Sequence, residues 1–363
     1  MKMRRFGIGL LAASGMALAT GLPAWAEVDV EPLPACDEIE PPYAGETEGG
    51  DLVLFCSGMH AYDPVRVYGD RWYSQPGSVA RLDAEEVFDA RADHPAEILN
   101  KLPGMNIQMN SGQEHLVAIR SPVLTGGAGQ GSFLILENGV PVRSPAFGNV
   151  NSLFEPHHEV ASAIEVVRGP GSAKYGSNAV HGLVNVILPD VGGGSEAVGS
   201  YGTLGRWRSD VTLDEGEHWL AAVSLQKDTG WRDNTGVDQQ KLTLVGDWIL
   251  GAWDTTTWLT ASNLNQETAG FAQGPDAYKD EDIAKSNPNP EAYRDAWSAR
   301  AGARLSRDFS GGTLTLTPYA HTQAMIFAQH FLPNGGVEEN GHDAFGLQTR
   351  YEFAASDAVM LRV

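Results

Sequence analysis

The 363-residue chain is short of three things, and each shortage removes a class of function. Lysine and arginine total 25 against 46 aspartates and glutamates, a formal net charge of −21. Gripping nucleic-acid phosphates needs clustered cations, so that role is excluded. So acidic a surface suits cationic or metal-bearing ligands, and equally well plain solvation. Only two cysteines occur, Cys36 and Cys56, too few for a disulfide scaffold or a multi-cysteine metal centre. In an oxidising compartment their pairing would close a loop of about 20 residues, worth roughly 3 kcal/mol in the chain-entropy model. The rival role for Cys36, a lipid anchor, is disfavoured by its distance from the N-terminal apolar run. After that run, no segment is long and apolar enough for a membrane helix of about 20 residues. A chain of this kind that crosses a membrane must do so as a closed β-barrel. Neither Gly-x-Ser-x-Gly nor His-Glu-x-x-His occurs, which argues against an enzyme. His157 and His158 would point apart on a strand and make a poor metal pair, so no metal site or cofactor is expected.

Four regions follow in order. Residues 1–26 read as a secretory signal, with Lys2, Arg4 and Arg5 ahead of an apolar run and Ala24-Trp25-Ala26 before cleavage at Glu27. Residues 27–75 are rich in Pro, Gly and acid, a flexible extension. Within it Val65-Arg66-Val67-Tyr68 alternates between Pro64 and Gly69, a segment able to add to a partner's sheet edge or to form an ordinary edge strand. Residues 76–190 read as a compact α+β domain. Val79–Leu82 forms a strand, and Asp93 caps a helix carrying Ala96, Ile98, Leu99 and Leu102 on one face. Phe133–Leu136 and Val140–Val142 form a hairpin around Asn138-Gly139. Two further strands, Ile164–Val167 and Leu183–Leu188, flank a glycine-rich link.

Residues 195–363 change to long alternating segments. Trp207, Ser209, Val211 and Leu213 share one face, with Arg206, Arg208, Asp210 and Thr212 on the other. Similar alternation runs through Trp219–Gln226, Lys241–Trp248 and Thr313–His321, apolar and aromatic on one face and polar on the other. That is the pattern of strands with lipid outside and water inside. Tight turns at 214–217, 251–252, 309–312 and 355–357 alternate with longer links at 228–238, 266–294 and 329–342, as periplasmic turns alternate with extracellular loops. About nine strands are counted, whereas a lumen holding a domain of this size needs about 22. The expectation is the N-terminal part of a longer, truncated barrel.

The glycine-rich link then gains a name. Ile164-Glu165, Arg168-Gly169-Pro170, Tyr175-Gly176, Ala179, Gly182 and Asn185 resemble the plug-domain motif of TonB-dependent outer-membrane receptors. Ala96–Met105, ending in Leu-Pro-Gly, and Ile119-Arg120 resemble the family's upstream helix and strand. Ser121-Pro122 and Glu137-Asn138-Gly139 depart from its usual residues and put local turn geometry in question. The resemblance implies an α+β plug inside a transmembrane antiparallel β-barrel in the outer membrane of a Gram-negative bacterium. It implies that Arg120 and Arg168 face barrel glutamates beyond Val363, and that a TonB box precedes the plug, for which Val65–Tyr68 is the candidate. The implied partners are TonB with its inner-membrane energising complex, outer-membrane lipid and an extracellular ligand. A ferric siderophore is the favoured cargo, with cobalamin, haem, copper and carbohydrate as alternatives. Tyr278, Asp280, Glu281, Asp282, His330, Glu338, Glu339 and His342 fall in the long links, where oxygen and imidazole groups suit a metal chelate. A passive porin would lack the plug. A non-functional fragment is the remaining rival.

Overall fold

A computed structural model of the chain describes residues 45–46, 52–53, 78–120, 133–144, 152–171, 175–329, 336–356 and 359–362. Cys36, Cys56, the Val65–Tyr68 segment, the signal region and His330 lie outside the described residues. The chain divides into two compact units, Met1–Gly69 and Asp70–Val363. In the first, β1 (Gly45–Glu46) pairs antiparallel with β2 (Leu52–Val53). All that follows concerns the second.

The second unit begins with an α+β domain. Strand β3 (Ser78–Asp83) runs into helix α1 (Ala84–Ala90), which a capping box fixes: Asp83 accepts from the Glu86 N–H, and Glu86 accepts from the Asp83 N–H. Helix α2 (Pro95–Leu99) has Pro95 in its first turn. Its cap is His94, whose Nδ1 accepts from the Ala96 N–H at 2.9 Å, and not the expected Asp93. Asp93 is occupied elsewhere, as described below. Then come β4 (Met105–Met109), β5 (His115–Ile119), β6 (Phe133–Glu137), β7 (Val140–Pro141), β8 (Ala163–Arg168) and β9 (Gly182–Ile187). The five-stranded sheet has the order β3-β8-β9-β6-β7, with β6 and β9 parallel and the other pairs antiparallel. The expected hairpin is present, and Asn138 (φ 50°) and Gly139 (φ 79°) both take the left-handed conformation that a two-residue turn of this kind requires.

Burial explains the arrangement. Leu82, Val87, Ile98, Leu99, Ile107, Val117, Ile119, Ile164, Val166 and Val184 form one core cluster across helices and strands. Gly182 is demanded by that packing, since a Cβ there would lie 2.6 Å from the Val167 carbonyl oxygen and 2.9 Å from Ile119 Cγ2. His157 and His158 do not lie on the expected strand. His158–Val160 is a 3₁₀ turn, and both His157 and His158 are buried with different partners.

From β10 the chain becomes a meander of nine antiparallel strands in sequence order: β10 (Glu196–Tyr201), β11 (Trp207–Asp214), β12 (Trp219–Asp228), β13 (Val237–Leu250), β14 (Trp253–Glu267), β15 (Tyr293–Phe309), β16 (Gly312–Gln329), β17 (Gly336–Ser356) and β18 (Val359–Arg362). Strands of 14 to 21 residues in β13–β17 are far longer than the usual five or six of soluble sheets. Among the described residues the sheet does not close on itself. Trp207, Leu213, Trp219, Leu244, Trp248, Leu259, Trp297, Phe345 and Leu347 stand exposed on one face. The opposite face packs the α+β domain. No helix among the described residues is long and apolar enough to cross a membrane, which leaves a strand-built crossing open.

One boundary is corrected. The 329–342 link is shorter than expected, because β17 already starts at Gly336. Glu338, Glu339 and His342 are therefore strand residues paired across to Phe327, Ile326 and Gln323. The adjacent charges Glu338 and Glu339 read as a loop in the sequence.

Candidate functional site

Period-two alternation sends one row of each sheet strand towards the domain. That row is buried and mixed. Leu220, Ala222, Val245 and Trp258 pack on Val140 and Leu188, and Val237, Leu264, Ala296 and Met325 pack on Phe154. Its polar members are Arg208 and Asp210 on β11, Ser224 and Gln226 on β12, Gln239, Lys241 and Thr243 on β13, Thr260, Ser262 and Gln266 on β14, Arg294, Ser298 and Arg300 on β15, and His321 and Gln323 on β16. Buried polar groups must find partners, and the domain supplies them.

The ion pairs are the main feature of this seam. Arg300 lies between two domain carboxylates, with Nε 3.0 Å from Glu137 Oε1 and Nη1 3.1 Å from Glu155 Oε2. Arg143 closes the group by donating to Glu155 Oε1 at 2.6 Å, and the Thr260 hydroxyl donates to Glu137 at 2.6 Å. Lys241 Nζ reaches Glu159 and the Pro156 carbonyl, both at 2.9 Å. Arg294 Nη2 donates to Glu114 at 3.1 Å, its guanidinium 4.8 Å from the Phe327 ring centre. Arg206 and Arg208 both turn to Asp93, Arg206 Nη2 donating at 2.7 Å and Arg208 standing at 3.5 Å. Arg143–Glu155 lies within the domain; in every pair named here that crosses the seam the domain gives the carboxylate, and the cation comes from the sheet or, for Arg206, from the turn leading into β11.

Histidines fill the space between the pairs. His157 shares hydrogen bonds of 2.7 Å with both Ser224 and Thr243. His321 Nδ1 meets the Val142 carbonyl at 3.0 Å, and His342 Nε2 accepts from the Ser144 N–H at 3.2 Å. Burial pushes the His94 imidazole down to about 2, assisted by His115 and His158, and pushes that of His157 down to about 3. Burial alone would raise the Glu159 carboxyl, but His158 and the Lys241 ammonium outweigh it and hold the group well below the usual carboxylate range.

The residues of the glycine-rich motif have structural partners inside the domain. Glu165 takes Arg81 at 2.7 Å, and Asn185 Oδ1 accepts from the Gly139 N–H at 2.9 Å, fixing the hairpin turn. Arg168 donates to the Pro103 carbonyl at 2.5 Å, while Arg120 (φ 60°) donates to the Arg168 carbonyl at 3.1 Å. Both arginines tie the Leu-Pro-Gly turn to β8. Gly169 (φ 119°) and Gly176 (φ 76°) turn left-handed around Pro170 and Tyr175. Among the loop candidates, Tyr278 is exposed in a 3₁₀ turn, Asp280 caps helix α3 (Glu281–Lys285), Glu281 pairs with Lys285, and Asp282 lies in that helix's first turn. The seam residues Glu114, Glu137, Glu155, Glu159, Lys241, Arg294 and Arg300 were absent from the expected site. Their signal was a cation placed on the polar phase of a strand in a chain with few cations.

A small α+β domain held by ion pairs to the polar face of a long-stranded meander defines a class, a plugged β-barrel wall. The comparisons agree. Residues 72–183 match the family model described as TonB-dependent Receptor Plug Domain. The vitamin B12 transporter BtuB of Vibrio vulnificus is 28% identical over 190 residues, covering 51% of this chain and 30% of that protein. Two solved structures share the fold at low identity. The unliganded ferric citrate transporter FecA is 17% identical with a TM-score of 0.60, over 77% of this chain and 44% of that one. The ferric yersiniabactin uptake receptor FyuA of Yersinia pestis is 15% identical with a TM-score of 0.56, over 77% and 46%. Residues 72–183 are thus a plug domain of the TonB-dependent receptor type, and the antiparallel sheet that follows shares the fold of the barrels in these structures. The chain spans less than half the length of these relatives.

Proposed function

We propose that the chain serves TonB-dependent active uptake of a scarce ligand across an outer membrane, with a ferric siderophore as the favoured cargo. In this reading residues 27–75 are the periplasmic extension with its box at Val65–Tyr68, 76–190 are the plug and 195–363 are barrel. Ligand meets the extracellular loops, where Tyr278, Asp280, Glu281 and Asp282 are candidates, and the plug shifts. TonB then adds as a strand to the box and transmits force.

The buried seam is the observation that carries the reading. Parting a buried ion pair so that one partner stays uncompensated costs about 3–5 kcal/mol. With Arg300, Lys241 and Arg294 each so held, plug movement costs on the order of 10 kcal/mol, beyond thermal opening. A passive pore has no use for such a closure, and an energised transporter does. The ferric citrate, ferric yersiniabactin and vitamin B12 transporters among the relatives favour a metal-chelate cargo. The copper transporter OprC, at a TM-score of 0.56, keeps copper among the alternatives. Deleting Val65–Tyr68 tests the mechanism: ligand binding to cells stays and radiolabelled uptake is lost. Uptake that survives the deletion refutes the box assignment.

A further inference from the structure

The sheet cations form a track. Arg294, Arg300 and Arg304 occupy even positions of β15 and face the plug, contacting in turn Glu114, the Glu137–Glu155 pair and the Asn138 carbonyl. At about 3.3 Å per residue the first two lie roughly 20 Å apart along the strand. Arg208 on β11 and Lys241 on β13 flank this track on the same buried face. Arg294 stands next to the long 268–292 link, so it is the first of the series reached from the loop end, and its buried Nε has no hydrogen-bond partner among the described residues. A guanidinium with a spare buried donor has capacity for another oxygen ligand.

Displacing the plug withdraws Glu114, Glu137, Glu155 and Glu159 together and leaves Arg294, Lys241 and Arg300 without these counter-charges, whereas Arg208 keeps Asp210 on its own strand. A wall of like charge in a narrow, weakly solvated passage attracts anions. A neutral cargo would leave that charge uncompensated, whereas a polyanion would restore the pairing that the plug gave up. Resting on the transporter reading, we propose that this receptor carries a polyanionic cargo with several carboxylate- or phosphate-type oxygens. The cargo takes the plug carboxylates' places on Arg294, Lys241 and Arg300 as the plug yields, so plug release and cargo entry are one ion exchange.

The test uses the detergent-solubilised receptor and two probes, the trianion tricarballylate and its uncharged triamide, with binding followed by titration calorimetry. Glu114→Gln frees Arg294 and is expected to tighten tricarballylate binding about tenfold relative to the unmodified receptor. Arg294→Gln is expected to abolish that gain, and the triamide to bind no variant. Glu159→Gln, which frees Lys241, gives the same expectation at a second place should Glu114→Gln fail to assemble. Unchanged or weaker trianion binding in the assembled Gln variants, or equal binding of the triamide, overturns the proposal. Capture of TonB's periplasmic domain is measured on the same preparations. Intact capture without anion preference sinks the ion exchange alone, and absent capture sinks the transporter reading beneath it.

Discussion

Replacing Arg300 with leucine is the sharpest test of how the plug is held. The guanidinium makes five hydrogen bonds: two to the Glu137 carboxylate, one to the Glu155 carboxylate, one to the Glu155 carbonyl and one to Ser298. Leucine fills part of the volume but strands two buried carboxylates. Removing one partner of a buried pair costs about 3–5 kcal/mol. Two features pull the value to the lower end: Arg143 still holds Glu155, and the Thr260 hydroxyl still holds Glu137. We therefore expect a loss of about 3 kcal/mol in the docking of the β6–β7 hairpin. The Val142 N–H, which donates to the Ile135 carbonyl within that hairpin, is a suitable reporter. Its exchange with deuterium, measured by mass spectrometry on the folded protein, should accelerate on the order of 100-fold, since about 1.4 kcal/mol is a factor of ten. Adding Glu137→Leu to Arg300→Leu removes one of the stranded charges and should recover part of the protection, so the two changes will not add. Exchange at Val142 within twofold of the parent, or strict additivity in the double variant, would show that the buried pairs do not hold the plug.

Three further outcomes are expected. His94 and His157 stay neutral when folded, with values of about 2 and 3 against 6.5 when unfolded. The unfolded chain therefore takes up protons first, and stability is lost as pH falls from about 6.5 towards 3, by about 1.4 kcal/mol per unit for each group. Glu159, held low, adds its own loss below about 4.5. A thermal midpoint for the plug that is flat between pH 7 and 5 would contradict this. Gly182→Ala drives a methyl to 2.6 Å from the Val167 carbonyl and should lower stability by about 1–3 kcal/mol, read as a lower denaturation midpoint with unchanged slope. Asp93→Asn breaks partly exposed pairs to Arg206 and should cost under about 1 kcal/mol, with most of the difference vanishing in high salt. A loss as large as that of Arg300→Leu would misplace the strength of the seam.

Much of the architecture was legible in the residues because it rests on local rules. Period-two alternation marked the sheet strands, Asn138-Gly139 marked the hairpin, and the Arg-Gly-Pro and Tyr-Gly spacing marked the β8–β9 link. Helix α1 was also within reach, since Asp83 and Glu86 stand at capping-box spacing, yet its single buried residue, Val87, left no apolar face to notice. The seam was out of reach for a different reason. Arg300 and Glu137 are 163 positions apart, and their meeting depends on how a domain docks against a sheet, which no local pattern encodes. The expectation centred on the plug arginines of the motif. In the structure Arg120 and Arg168 bind backbone carbonyls within the plug, and the described seam is built with the opposite polarity.

That polarity bears on why the seam sets ion pairs beside its apolar clusters. A well-packed apolar interface of similar volume would hold the plug as tightly or more so, because buried ion pairs often gain little over hydrophobic replacements. It would also resist being opened, since nothing in water or cargo replaces a lost apolar contact. Ion pairs can be handed on: a carboxylate leaving Lys241 or Arg300 can be succeeded by another anion without the cation ever standing bare. The chain has 25 cations among 363 residues and a net charge of −21, yet Arg206, Arg208, Lys241, Arg294 and Arg300 all face the plug. Placing these scarce cations on one surface is what the proposed exchangeable closure requires. Under that proposal the cost of a buried charge is the means by which the closure selects what opens it.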